Sequence, residues 1–121
     1  GWWRPMNNEV GKETVFGKIT GNTATVMFRA LTGAAVIRSI QLCENAGSTP
    51  NLTIDIYDTD NAVAYLKRRA IAVTAGTEIL YTNEFVLPQG WSIRATSSDA
   101  AGKFDYCVSY DDPDATSRGR P

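Results

Sequence analysis

The sequence contains no histidine. That absence removes the side chain that ordinarily titrates nearest neutrality and the commonest metal ligand. Neither a Ser-His-Asp nor a Cys-His centre can be built from this chain alone. Cysteine is nearly as scarce. Cys43 and Cys107 lie far apart, and no C-x-x-C occurs, so a zinc or thioredoxin-type site has no support. No apolar run approaches the ~20 residues of a membrane-spanning helix. The start lacks the basic and apolar regions of a secretory signal. Neither sign of charge prevails, with 12 Lys and Arg against 13 Asp and Glu. Such a balance offers no basic face for the phosphates of nucleic acid. These absences point away from metal, cofactor and membrane functions.

What is present is an apolar period of two. In "NLTIDIYD", Leu52, Ile54 and Ile56 share one face, while Thr53, Asp55 and Tyr57 take the other. In "KFDYCVSYD", Phe104, Tyr106, Val108 and Tyr110 alternate with Asp105, Cys107, Ser109 and Asp111. In "AAVIRSIQLCE", the same rule places Val36, Ile40 and Leu42 together. This is the pattern of half-buried strands, and Val, Ile, Thr, Tyr and Phe suit a pleated surface. Gly, Asn, Asp and Pro clusters punctuate the runs at short spacing.

The expected strands are 14–19, 23–29, 34–43, 51–58, 62–67, 70–74, 77–82, 84–87 joined to 90–96, and 103–111. Over "AVAYLKRRAIAV" a helix competes, but "YDTDNAVAY" reads as a hairpin and strand is preferred. A chain of 121 residues holds one domain. The expected fold is all-β: an antiparallel β-sandwich, jelly-roll-like, with extended N- and C-terminal arms. Its parts are an N-terminal arm (1–12), a β-sandwich domain (13–111) and a polar C-terminal tail (112–121). The expected core is Val36, Ile40, Leu42, Leu52, Ile54, Ile56, Trp91, Ile93, Phe104, Tyr106 and Val108.

Few side chains suggest chemistry. Asp58, Asp60 and Asn61 lack the glycine and closing glutamate of a calcium loop and read as a turn. Glu13, Glu44, Glu78 and Glu84 have no spacing that fixes a carboxylate pair. Neither catalytic, cofactor-binding nor metal-binding residues are expected. Lys67, Arg68 and Arg69 form the basic cluster. It suits either a charged strand that discourages edge pairing or contact with an acidic protein neighbour. At the N-terminus, "GWWRP" places Trp2, Trp3 and Arg4 where they can bind a partner, since Trp and Arg prevail in interface hot spots. The alternative is that the tryptophans cap their own core.

The stretches "AVIRSIQLCENAGSTPNLTIDIYD" and "AVAYLKRRAIAVTAGTEILYTNEFVLPQGWSIRATSSDAAGKFDYCVSY" resemble small virion structural proteins of tailed bacteriophages. The matching features are a strand at "IRSIQLC", an L-x-x-G-x-x-I-R hairpin at Leu87, Gly90, Ile93 and Arg94, and a closing "VSY" strand. The resemblance covers roughly residues 30–110. It implies assembly without catalysis, most directly as a capsid decoration (cement) protein bridging major-capsid subunits. It also implies a homo-oligomer, with a trimer favoured, on a capsid surface after assembly in the bacterial host cytoplasm. Reduced thiols are expected there, although neighbouring strands would leave a disulfide open for Cys43 and Cys107. The alternatives are a tail- or baseplate-associated subunit, or a carbohydrate-binding sandwich that uses Trp91, Tyr57, Tyr65 and Tyr81.

Overall fold

The structure is a computed structural model and describes residues 12–111. It contains β1 (Lys12–Ile19), β2 (Thr25–Arg29), β3 (Ala35–Glu44), β4 (Asn51–Asp58), β5 (Val63–Ala72), β6 (Glu78–Tyr81), β7 (Phe85–Leu87), β8 (Ser92–Ser97) and β9 (Phe104–Asp111). Two antiparallel sheets form. One has the order β1-β9-β3-β6, with β7 also on β3, and the other β2-β8-β4-β5. Because β9 covers one side of β3, β6 and β7 follow one another along its other side. They act as one interrupted strand. Each sheet then has four strand positions, in the order of a jelly roll.

The strand boundaries differ from expectation in two places. The segments 62–67 and 70–74 merge into β5, which ends at Ala72. The segment 84–87 is not joined to 90–96. The turn at Pro88 to Gly90 carries the chain from β7 in one sheet to β8 in the other.

Most of the expected core lies between the sheets. Ile40, Leu42, Leu52, Ile54, Ile93, Phe104 and Val108 are buried, and Ile56, Trp91 and Tyr106 are half-buried against them. Val36 is the exception. A β-bulge in β3 between Ile37 and Ser39 resets the alternation, so Ala35 and Ile37 point inward and Val36 does not. A bulge inserts one residue and reverses the faces beyond it, which strict period-two counting cannot register. Ile19, Met27, Val73 and Leu87 complete the core. They sit in short or weakly alternating runs, or just beyond a strand.

Two features fix one end of the sandwich. Gly102 has a φ of +79°, and a Cβ there would run into the backbone carbonyl of Ile19. At the same end, the carboxylate of Glu44 is buried and accepts the N–H groups of Ala46 (3.0 Å), Gly47 (2.9 Å), Ser48 (3.1 Å) and Gly76 (2.8 Å). The Ser48 hydroxyl also donates to it at 3.0 Å. One side chain thus ties the β3–β4 loop to the β5–β6 turn. These bonds, that from Gly76 foremost, outweigh desolvation and hold its pKa down to about 2.

Replacing Ile54 by alanine should empty a core site and cost ~2–5 kcal/mol in urea unfolding. A near-neutral shift would mean that the residue is not core. The depressed Glu44 pKa gives stability that is complete above the ordinary carboxylate pKa and is lost as pH falls from ~4.5 towards ~2. Glu44→Gln should therefore melt lower at pH 7 and show a flatter acid limb, because the group that must be protonated is gone. Parallel acid limbs for the two proteins would refute the clamp.

Candidate assembly surface

The expected basic cluster lies in the middle of β5, an edge strand exposed over most of its length. Two register shifts against β4, between Leu52 and Ile54 and between Ile54 and Asp55, bracket Lys67, Arg68 and Arg69. Ala70, beside them, has a φ of +48°, and its N–H is taken by the Thr53 hydroxyl at 3.0 Å. The cluster therefore marks a bulged, charged edge. Lys67 and Arg68 turn across to the other sheet. The Lys67 ammonium sits 4.4 Å from the Phe85 ring centre. The Arg68 guanidinium lies 5.0 Å from that of Tyr81, and its Nε donates to Tyr81 Oη at 2.8 Å. Between them is a cavity of about 160 Å³, lined also by Ile37, Ser39, Ile40 and Asn83. The two cations close the open flank between β5 and β6–β7, and cation–π contact stabilises them there. Trp2, Trp3 and Arg4 lie outside the described residues.

The outer face of the four-stranded sheet carries a row in register: Val26, Arg94, Asp55 and Leu66. Arg94 donates twice to Asp55, from Nε at 2.8 Å and from the terminal nitrogen at 3.1 Å. The Tyr57 ring covers the guanidinium at 3.9 Å. Little of either charge meets water, with side-chain exposures of 22% for Arg94 and 9% for Asp55. The bonds to Asp55 push the Arg94 pKa up from its ordinary value. A matching row crosses the outer face of the five-stranded sheet: Phe16, Cys107, Gln41 and Leu80. In both rows the central residues are polar or small and the edge residues apolar. Beside the second row, Lys18 (2.8 Å) and Asn45 (3.0 Å) hold Asp105 and lower its pKa.

Other candidates resolve locally. Cys43 and Cys107 are free thiols on neighbouring strands. Cys107 faces Gln41 and Cys43 faces Asp105, so the two are diagonal neighbours. A diagonal offset of ~7–8 Å exceeds what a disulfide spans. Asp58 accepts the N–H groups of Asp60 and Asn61 and the Asn61 side-chain amide (3.1, 3.3 and 2.8 Å), which closes the β4–β5 turn. The four glutamates do not converge. Glu44 serves the loop clamp, Glu78 accepts from Gln41 and Glu84 pairs with Arg38 at 3.4 Å. Glu13 lies opposite Tyr110 in the β1–β9 ladder. Among the described residues no cluster of three or more His, Cys, Asp or Glu is placed to hold a metal. Of the aromatics named for a glycan platform, Trp91 and Tyr65 stack on each other at 5.6 Å, and Tyr57 and Tyr81 are each covered by an arginine. Each has a ring face already occupied.

No family model and no curated protein sequence matches the chain. Among solved structures, it is similar to a chain of the cyanophage Pam1 capsid asymmetric unit, at 18% identity and a TM-score of 0.38. That alignment covers 86% of each chain.

The two outer rows were only partly readable in the sequence. The alternation shows which residues face outward, but not which of them share a row. Asp55 and Arg94 lie on strands distant in sequence, and their pairing needs the register.

Asp55→Ala should leave the shielded Arg94 guanidinium without its partner. The expected loss is ~2–3 kcal/mol, below the range for a fully buried pair because Arg94 keeps some water. Asp55→Ala with Arg94→Met should recover part of it. Urea titration decides, and a loss below ~0.5 kcal/mol would reduce the pair to surface decoration.

Proposed function

We propose that this chain is a non-enzymatic structural subunit of a phage virion and, within that class, a capsid decoration protein that bridges neighbouring major-capsid subunits. The observation that carries the reading is the placement of apolar surface. The core is filled by the two inner faces. Even so, Phe16, Leu66 and Leu80 are each more than half exposed, as are Val26, Leu31 and Val86. Four of these end the two cross-strand rows, so both outer faces meet solvent with apolar margins, around a shielded ion pair on one sheet and around half-buried Cys107 and Gln41 on the other. Ordered apolar margins of this kind suit a surface closed by neighbouring subunits. The stretch that resembles virion proteins spans β3 to β9, seven of the nine described strands of the sandwich.

The mechanism is linkage. A subunit that binds the expanded shell better than its precursor stabilises the expanded state by that difference. Trp2 and Trp3 dock on the neighbouring subunit, each offering up to ~250 Å² of surface. Arg4 adds a charged contact. Lys67, Arg68 and Arg69 present a basic stripe to an acidic patch on the capsid. No nucleic acid, membrane or cofactor takes part.

The test is binding to purified expanded shells that lack this subunit. Saturable binding and a higher shell disruption temperature are expected. A chain without residues 1–5 should melt within about a degree of the full chain and bind at least about tenfold more weakly. Localisation to the tail, or no effect on shell disruption, would overturn the decoration role. A large fall in melting with retained binding would make the tryptophans caps of their own core.

A further inference from the structure

A sandwich has sheet edges, and an unpaired edge is a template for another strand unless something blunts it. Three of the edges here are blunted. β2 has five residues and a register shift at Met27. β5 carries its bulges and Lys67, Arg68 and Arg69. β6 and β7 are four and three residues long, with a break between them. β1 differs from all of these. It has eight residues, its pairing with β9 runs without a register shift from Lys12 to Ile19, and its other side pairs with no described strand. Its centre, Thr14 to Gly17, bears no charge. Phe16, in that centre, is 76% exposed, more than any other large apolar side chain among the described residues.

We propose that β1 is the edge through which two copies of this chain pair, antiparallel, about a two-fold axis normal to the sheet. The axis keeps the core side of one copy continuous with the core side of the other, so outward residues meet outward residues. One register satisfies the sequence. It sets Phe16 opposite Phe16 of the second copy, with Thr14 opposite Lys18 on either side. On the core side it sets Val15 opposite Gly17. Cross-strand aromatic pairs are among the favourable ones, and no like charges meet. Sliding by two residues one way puts Lys12 opposite Lys18, and the other way puts Phe16 opposite Lys18. Sliding by one residue turns Phe16 to the core side, which pairing in a buried sheet does not permit. The same operation on β5 would set its own basic cluster against itself. The occupant is therefore a second copy, and the edge is β1.

An eight-residue edge buries less than the ~1,600 Å² of an ordinary stable interface, so the free pair is weak, with a Kd on the order of 100 µM. The pairing belongs to the chain alone and can fail while the virion reading stands. The test is sedimentation of the full chain from about 1 to 1000 µM, with amide exchange measured at both ends of that range. A monomer–dimer equilibrium is expected, with protection rising in β1 and unchanged in β5. Phe16→Lys replaces an exposed side chain by a solvated one and should keep the melting temperature while weakening the dimer at least about tenfold. Thr14→Glu should tighten it, because each new carboxylate faces Lys18 of the other copy. Leu80→Lys, on the opposite edge, should leave it unchanged. A chain monomeric throughout, a closed trimer without dimer, or a dimer indifferent to Phe16→Lys would overturn the proposal.

Discussion

The sheet that carries most of the architecture hangs on β3. This strand is bonded to β9 along one side and to β6 and β7 along the other. Its ten residues include the bulge at Arg38, and that single inserted residue has two results. It puts both Ile37 and Ile40 into the core although they are three positions apart. It also turns Arg38 outward, where the guanidinium meets Asp111 at 2.6 Å and Glu84 at 3.4 Å. The last strand and the gap between β6 and β7 are thereby tied to the same point. A regular strand would send Ile37 or Ile40 into water.

How much of this was legible varies with the range of the interaction. The strands follow from alternation within eight or ten residues, so β4 and β9 appear in the sequence almost residue for residue. Val36 was misplaced because a bulge is a property of the pairing between β3 and β9 rather than of either strand alone. The assignment of 84–87 failed for a related reason. Local sequence shows a turn at Pro88 to Gly90, but not that the turn changes sheets. Leu87, fully buried just before that turn, is the local trace of the change.

The candidate surface was legible as composition and obscure as geometry. Lys67, Arg68 and Arg69 were conspicuous, and a strand edge was one of the two readings given for them. That two of the three turn back over Phe85 and Tyr81 depends on the width of the gap between sheets. The outer rows are harder still, because each gathers four residues from four strands. Phe16 drew no notice in the sequence, where one phenylalanine among alternating residues is ordinary. Its exposure becomes informative only when β1 proves to be an edge without bulge or central charge.

The pairing of Lys12 with Asp111 has a consequence for how the chain is made. Of the described strands β1 is synthesised first, yet the only one of them to which it bonds is β9, the last of them to be made. β3 likewise lacks its full-length neighbour until β9 emerges. A nascent chain on the ribosome can close the β4–β5 hairpin early, but the five-stranded sheet must wait. Folding is thus governed by contacts between residues remote in sequence, which places this domain among slow folders. A chain arrested before Phe104 would leave both sides of β1 and one side of β3 unpaired, adding to the edge that β1 keeps in the finished molecule and making the arrested chain the more prone to aggregation.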